Sequence, residues 1–593
     1  MSPPEDKSEC TPPPVLLSAL DGVGVGFGDQ GAADRLRRLL EAGVQWSLVK
    51  HNLSRTVWRG QGPGGVVYLK HFHSRSLAHR LRRQVGSGDA SREVRFSREL
   101  ARAGVSVPEA LAWACRDGQE WIVTGGVEPS TPADAWHARR LADGDSRSIE
   151  AALAAMAQLV GRMHAAGIVH RDLHCGNILV CDEGRRLVLM DLHRAGRAWR
   201  LSRRVRAANL AQLYQDRRLL TTRSQRLRFL RIYLEASSAS GSLRGWVRLI
   251  EPPARRHTRR LNAQRERRIF GTNRYFARLG GRRWRRHVVL AGKRRIPGST
   301  AAGLTFTPEQ WREALAEPEA LLAGPGVEVV KDSPSSLVVR RRLRVGPHEL
   351  DVFVKRSRRK RPVRLLTDML RPSRAMRAFR LGHALLGRHI HTALPLAAME
   401  RRIGPVLVDS ILITEAVADA VHLNKFLARH LGPAENGLVA QAFQPVPPPG
   451  DPRRRPAQHV LGQLGRLLRR FHQEGFAHRD LKASNLLVHW DGRPDSLPEL
   501  VMVDLDGVKH VRRISARDEF RGLMRLNVSL LECPTVTHAG RLRMLLGYLR
   551  RPGSGRVNFK PYWRQLQRWS ARKIRRQIAS RQRRQKAQRR SQA

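Results

Sequence analysis

The sequence predicts an α+β chain of two tandem domains of one type, each with a small β-rich N-terminal lobe and a helical C-terminal lobe. Three observations carry this. The pattern His-Arg-Asp-Leu-x-x-x-Asn occurs twice, at His170–Asn177 and His478–Asn485. Each copy follows a helix-like run ending in histidine and glycine (His164 to Gly167, His472 to Gly475) and precedes an apolar strand ending in aspartate, Asp191 or Asp504. The flanking landmarks repeat at growing offsets: 281 from Lys50 to Lys331, 285 from Lys70 to Lys355, 290 from Thr124 to Thr414, 308 from Asp172 to Asp480 and 313 from Asp191 to Asp504. Matched landmarks with a monotonic offset are what duplication of a whole domain leaves behind.

With 593 residues the chain exceeds a single core, and its 41% hydrophobic content suffices for ordinary globular cores. The divisions read from composition are a partly disordered extension over 1–42, a first domain over 43–265, a basic linker over 266–320, a second domain over 321–560 and a basic tail over 561–593. In the first domain, Trp46 to Lys50 and Arg55 to Arg59 read as strands about a turn at His51-Asn52. Val66 to Lys70 is a β-branched and aromatic strand ending in lysine. Ser91 to Leu100 reads as a helix closed by Gly104, and Glu120 to Thr124 as a strand leading to a joint at Gly125-Gly126. Ala151 to Met163 is Ala-rich and helical. Asn209 to Leu220 and Gln225 to Leu234 complete a helical lobe. The order restarts with strands at Val327 to Lys331 and Leu350 to Lys355, a helix over Ser373 to Leu386 and a strand over Ile411 to Glu415. A Pro/Gly/Arg-rich insert from Gln444 to Arg455 reads as a surface loop in the second copy alone. Asp21 to Gly28 alternates glycine, but it lies too far before Lys70 to serve as a phosphate-binding loop.

The net charge is +58. Such a balance favours anionic partners: an acidic membrane leaflet, phosphorylated substrates or nucleic acid. An Arg-preferring codon bias on solvated faces explains part of the excess. Arg282 to Arg286, with Trp284, and the tail with Trp569 have the composition of a nucleic-acid-binding segment, but no recognition motif is present, and no specific nucleic-acid partner is expected. The five cysteines (Cys10, Cys115, Cys175, Cys181, Cys533) are odd in number and scattered, so neither a zinc site nor a disulfide framework is expected, and a reducing cytoplasm is the simplest compartment. Neither a signal peptide nor an apolar run of transmembrane length is read, so any membrane contact would be peripheral.

The repeated pattern is the catalytic loop of the protein-kinase-like fold, and the aspartate after the next strand is its metal ligand. Phosphoryl transfer from ATP needs a lysine on the phosphates, magnesium held by hard oxygens and a carboxylate at the acceptor hydroxyl. Both copies supply these groups in order. Lys70 and Lys355 would contact the ATP phosphates. Asp172 and Asp480 would be catalytic, orienting and deprotonating the acceptor. Asn177 with Asp191, and Asn485 with Asp504, would hold Mg2+. Glu93, with Glu99 its rival, would pair with Lys70. In the second copy that helix register falls on Ala378-Phe379 among arginines, so the partner of Lys355 is missing or supplied elsewhere. Neither copy has a G-x-G-x-x-G loop; each has a turn bearing Lys and Ser instead (Lys50 to Ser54, Lys331 to Ser335). The metal aspartates stand in Asp191-Leu192-His193 and Asp504-Leu505-Asp506, no A-P-E follows, and helix-like sequence resumes too soon for a peptide-binding segment. This favours a small-molecule, sugar or glycolipid acceptor.

The chain resembles the lipopolysaccharide kinase (Kdo/WaaP) family in tandem, over roughly residues 45–235 and 325–550. The likeness rests on the catalytic loops and on Arg55 to Arg59 leading to Val67 to Lys70, Arg92 to Val94 leading to Gly104 to Pro108, Val503 to Val508, and Arg521 to Asn527. The resemblance implies a protein-kinase-like fold and ATP-dependent phosphorylation of inner-core lipopolysaccharide sugars at the cytoplasmic face of the inner membrane. The leading reading is therefore an ATP- and Mg2+-dependent kinase acting on a lipid-linked sugar or lipopolysaccharide. The rivals are a Ser/Thr protein kinase, which Lys482 would suit, and a chain with one active and one pseudokinase domain that serves as scaffold or regulator.

Overall fold

The computed structural model describes residues 25–27, 30–41, 43–52, 54–73, 88–116, 119–198, 200–217, 221–281, 283–292, 296–358, 371–432, 455–493, 496–550 and 557–592. The surface loop expected from Gln444 lies outside these residues up to 454, as do the first dozen residues. The chain forms two compact units, divided between Arg260 and Leu261.

The first unit begins with β1 (Val25–Phe27), α1 (Gln30–Glu41), β2 (Gln45–Asn52), β3 (Arg55–Gly62), β4 (Gly65–Phe72), α2 (Asp89–Arg102), β5 (Ala110–Arg116) and β6 (Gln119–Gly125). Its six strands make one antiparallel sheet in the order β1-β5-β6-β4-β3-β2. Side chains alternate faces along a strand. Val67 and Leu69 of β4 therefore pack with Trp58, Trp121 and Leu36 of α1. Phe72, on the opposite face, packs against Ala90 and Val94 of α2. Lys70 shares that second face, so the alternation itself aims the lysine at α2. The extension to residue 42 is therefore partly integral to the domain: α1 covers the sheet and β1 pairs with β5. The glycine-alternating run contributes that short edge strand. The turn expected at His51-Asn52 lies further on, since β2 continues to Asn52.

The helical lobe comprises β7 (Thr131–Pro132), α3 (Ala133–Ala142), α4 (Ser146–Ala165), β8 (Ile168–His170), β9 (Ile178–Cys181), β10 (Arg186–Leu189), β11 (Ala195–Arg197), α5 (Arg203–Arg217), α6 (Arg223–Ala236) and the part of α7 (Leu243–Arg268) up to Arg260, the rest of that helix belonging to the second unit. Asp145 caps α4 by accepting from the Ser148 amide at 3.0 Å. Met156, Val160 and Met163 line its buried stripe. The hairpin β9–β10 and the pair β8–β11 flank the catalytic loop.

The second unit repeats this order with β12 (Phe276–Leu279), β13 (Arg285–Val289), α8 (Pro308–Ala314), β14 (Glu328–Ser333), β15 (Ser336–Val345), β16 (His348–Ser357), α9 (Arg374–Gly387), β17 (Pro395–Ile403) and β18 (Val406–Glu415). Its sheet runs β12-β13-β17-β18-β16-β15-β14, which is the first sheet with a different addition at the β5/β17 edge. Register confirms the duplication. Lys70 faces Val57 and Ile122, and Lys355 faces Val338 and Leu412. Even the irregularity recurs, since register shifts between Leu48 and Lys50 and again between Val329 and Lys331. The helical lobe follows with β19 (Ala420–His422), α10 (Leu423–Leu431), α11 (Arg455–Gln473), β20 (Phe476–His478), β21 (Leu486–His489), β22 (Glu499–Met502), β23 (Val508–His510), α12 (Ala516–Leu531), α13 (His538–Leu549) and α14 (Lys560–Gln592).

Two expected boundaries are corrected. Residues 266–320 are not a linker: β12 and β13 extend the second sheet through β17, and Trp284 and Trp311 are buried in its core. The buried Glu415 carboxylate accepts from the Thr300 amide at 2.6 Å and the Ala301 amide at 2.7 Å, which ties this segment to β18. Trp284 is thus unavailable as a base-stacking platform. The tail is not separate from the second domain either, since Leu566 of α14 is fully buried in the main helical core and Trp569 packs edge-on against Phe520.

Candidate functional site

In the first unit, α2 carries Glu93 to the face of the sheet that bears Lys70. Glu93 Oε1 lies 2.5 Å from Lys70 Nζ, and each side chain is 5% exposed. Burial alone would raise the Glu93 carboxyl, but Lys70 and then His193 outweigh it and lower it to about 2. Its rival Glu99 points elsewhere and pairs with Arg197 at 3.1 Å.

Asp191 follows β10 in the left-handed region, at φ 59°. This conformation costs energy for a non-glycine residue and recurs at Asp504, φ 57°. Lys70 Nζ is 3.6 Å from Asp191. Arg55, at the start of β3, grips both Asp191 oxygens at 2.9 and 2.7 Å. Burial would raise the Asp191 carboxyl, but Lys70 and Arg55 hold it well below the usual carboxylate range. Arg55 was not anticipated as a site residue; its sequence signals were its place beside the β2–β3 turn and its membership of the Arg55 to Arg59 segment that carries the family resemblance.

The catalytic loop is set by its histidine. His170 Nε2 lies 3.1 Å from the carbonyls of Met190 and Asp191 and must donate, so Nδ1 accepts from the Asp172 amide at 3.3 Å. Burial lowers the His170 pKa, which keeps the ring neutral and this tautomer in place. Asn177 Nδ2 donates to the Asp172 carbonyl at 2.9 Å, so Oδ1 is the amide atom that could serve a metal. The Asp172 carboxylate itself is 58% exposed, with His174 Nε2 at 3.9 Å.

The second unit reproduces this loop. The Asp480 amide donates to His478 Nδ1 at 3.0 Å, His478 Nε2 meets the Asp504 carbonyl at 3.2 Å, and Asn485 Nδ2 donates to the Asp480 carbonyl at 3.0 Å. Asp480 is 62% exposed, with Lys482 Nζ at 2.8 Å. Lys355 lies 2.8 Å from Asp504 and 2.7 Å from Asp506. Burial would lower the Lys355 ammonium, but Asp506 and then Asp504 raise it. The lysine partner that the helix lacks is therefore Asp506, which sequence reading left unassigned. Ser336 stands where the first unit has Arg55, as their shared pairing geometry shows. Beside these groups is a cavity of about 1140 Å3 lined by Arg374, Arg377, Arg380, Asp480, Asp504 and Asp506, among others.

The donor sets suit magnesium in both units: a carboxylate and an amide oxygen, both hard. Among the described residues no cluster of three or more His, Cys, Asp or Glu could cage a metal unaided. Magnesium commonly binds through one or two carboxylates plus substrate phosphates, and the sites fit that mode. In the first unit the fit requires Arg55 to release Asp191.

The model of the lipopolysaccharide kinase (Kdo/WaaP) family matches residues 44–233 and 351–548, more than half of the chain. The lipopolysaccharide core heptose(I) kinase WaaP of Pseudomonas aeruginosa is 32% identical over 160 residues, which cover 24% of this chain and 59% of that protein. Thus the chain spans somewhat over half the length of that relative. Among solved structures, WaaP in complex with acyl carrier protein is 26% identical, covering 39% of this chain and 93% of that one at a TM-score of 0.29. The kinase domain of Mycobacterium tuberculosis PknI is 21% identical, covering 36% and 96% at a TM-score of 0.23. The duplicated sheet, the paired catalytic loops and the twofold match together make this chain a member of the lipopolysaccharide kinase (Kdo/WaaP) family that carries the family's kinase-like domain twice.

Proposed function

We propose that the chain is an ATP- and Mg2+-dependent phosphotransferase acting on a sugar hydroxyl of lipopolysaccharide core or a related glycolipid, at the inner face of the cytoplasmic membrane. The observation that carries this is the convergence, in each unit, of a carboxylate-held lysine, an exposed catalytic-loop aspartate, and the Asn/Asp pair. Lys70 and Lys355 hold the phosphates of ATP. Asn177 with Asp191, and Asn485 with Asp504, are the metal-holding residues. Those residues would hold magnesium, whose positive charge would offset the negative charge that develops on phosphoryl transfer. Asp172 and Asp480 orient the acceptor hydroxyl and take its proton.

A non-peptide acceptor is supported by the segment after each metal aspartate. In both units the next long helix starts only 12 residues on, α5 at Arg203 and α12 at Ala516. The intervening strands β11 and β23 pair back onto β8 and β20, which removes the chain length a peptide platform would use. The arginines around the second cavity suit an anionic glycolipid, and basic residues near an anionic leaflet contribute about 1 kcal/mol each. Among the described residues no helix is long and apolar enough to cross a membrane.

The test is transfer of labelled phosphate from ATP to lipopolysaccharide or its core sugars, beside a generic protein acceptor. Asp172→Ala and Asp480→Ala each lower the output of their own unit by about 10²–10⁴-fold. The double variant is silent while its fold, read by circular dichroism, is unchanged. Undiminished transfer in the double variant overturns the proposal. The reading in which only one unit is catalytic is favoured by the occupation of Asp191 by Arg55; the two single variants decide it.

A further inference from the structure

The two lysines each see two carboxylates among the described residues, but from different places. In the first unit one comes from the metal aspartate and one from the helix: Asp191 at 3.6 Å and Glu93 at 2.5 Å. In the second unit both come from the segment after β22: Asp504 at 2.8 Å and Asp506 at 2.7 Å. Lys70 and α2 precede Lys355 and α9 by the same 285 residues, so Glu93 corresponds to Ala378. Asp191 precedes Asp504 by 313, so His193 corresponds to Asp506.

The exchange is reciprocal. In the first unit His193 Nδ1 stands 3.5 Å from Glu93 Oε2, whereas the lysine meets Oε1. In the second unit the helix position shrinks to a methyl group and the histidine position becomes the carboxylate. Ala378, Asp504 and Asp506 line one cavity, so the helix position and both carboxylates face a common space.

We propose that Asp506 is the positioning residue that holds Lys355 for the nucleotide phosphates in the second unit, replacing the helix glutamate of the first. This rests on the phosphotransfer reading above. It makes the second unit complete without any carboxylate from α9. The lysine would then be registered by the same short segment that carries the metal aspartate, instead of by the helix.

The experiment uses the full chain and a readout that separates the lysines. Each is acylated by an amine reagent in EDTA, and the ATP concentration that half-protects it is read by mass spectrometry of its own peptide. In Asp506→Asn the half-protecting concentration for Lys355 rises about tenfold, as lost positioning of a phosphate contact predicts, while that for Lys70 is unchanged. Asp506→His behaves like Asp506→Asn. Combining Asp506→His with Ala378→Glu rebuilds the first unit's arrangement and returns Lys355 protection to within about threefold of the parent. With the first unit silenced by Asp172→Ala, turnover falls about 10²-fold in Asp506→Asn and recovers in the exchange variant. Melting curves of Asp506→Asn and Ala378→Glu that match the parent exclude unfolding as the cause. Unchanged protection in Asp506→Asn overturns the proposal, as does failure of Ala378→Glu to rescue. So does a loss confined to magnesium-containing turnover, which would make Asp506 a metal ligand instead. If ATP fails to protect Lys355 in the parent chain, the phosphotransfer reading of this unit falls with it; if the parent is protected and Asp506→Asn is too, only the assignment of Asp506 falls.

Discussion

Glu93→Gln strips the charge that balances Lys70 in a site where both side chains are almost fully covered. Breaking a buried pair from one side costs about 3–5 kcal/mol, because the remaining charge stays desolvated. The expected result is a lower melting temperature together with weaker nucleotide binding at the first unit. The same pair predicts an acid limb. The Glu93 carboxyl lies at about 2 in the folded chain, below its ordinary 4.5. Its contribution is therefore complete above about pH 4.5 and is lost as the pH falls towards 2. Denaturant titrations across that window should show the slope flatten in Glu93→Gln. At neutral pH the pair is insensitive to acid, which suits a residue that must stay ionised during turnover.

At the scale of elements, the long helix before each catalytic loop ends on a buried histidine tied to a later helix. His164 Nδ1 lies 2.7 Å from the Tyr233 hydroxyl of α6, and His472 Nδ1 lies 3.0 Å from the Tyr548 hydroxyl of α13. Burial lowers both to about 4. Because the folded values lie below 6.5, protonation favours the unfolded chain. The contribution is full above pH 6.5 and falls below it, by roughly 1.5 kcal/mol per histidine between pH 6.5 and 5. Comparing unfolding midpoints at pH 7 and 5 checks this, with His472→Gln removing part of the difference. The helices and catalytic loops were legible in the sequence because their signals are local: apolar spacing, glycine stops and an eight-residue motif. The strand Arg285–Val289 was not, because two arginines and a histidine hide its alternation and its burial comes from β12 and β17, distant in sequence. Asp506 was missed for a related reason. The carboxylate was sought at a helix register, whereas the contact is made in space, from a different element; the substitution of His193 by Asp506 between copies was the available signal.

For the whole molecule, the tail helix divides into a packed and an unpacked part. Leu566 is buried and Ile574 packs against the main core of the second unit. Ile578 is half exposed, and residues 568–593 hold 11 Lys and Arg with no acidic residue. Removing residues 577–593 should leave the melting temperature within a degree or two of the parent and weaken binding to anionic vesicles, most visibly at low salt. Removal from residue 560 onward should destabilise the second unit, since burial of Leu566 is lost. Vesicle flotation across a salt series, beside thermal melts of both truncations, separates these effects. The duplication extends to irregular features, the shifted register in β2 and β14 and the left-handed aspartates, yet the residues that surround the two lysines differ between the copies.

That divergence has a pharmacological consequence. In the first unit a tight, almost fully covered ion pair between Glu93 and Lys70 joins α2 to β4. In the second unit Ala378 stands at the helix position and lines the large arginine-lined cavity. On the phosphotransfer reading, a nucleotide-competitive compound with an acidic extension directed at the helix position would find Ala378 in the second unit and meet the Glu93 carboxylate in the first. The two halves of one polypeptide could then be inhibited separately, without mutation, and their contributions to growth told apart in the living cell.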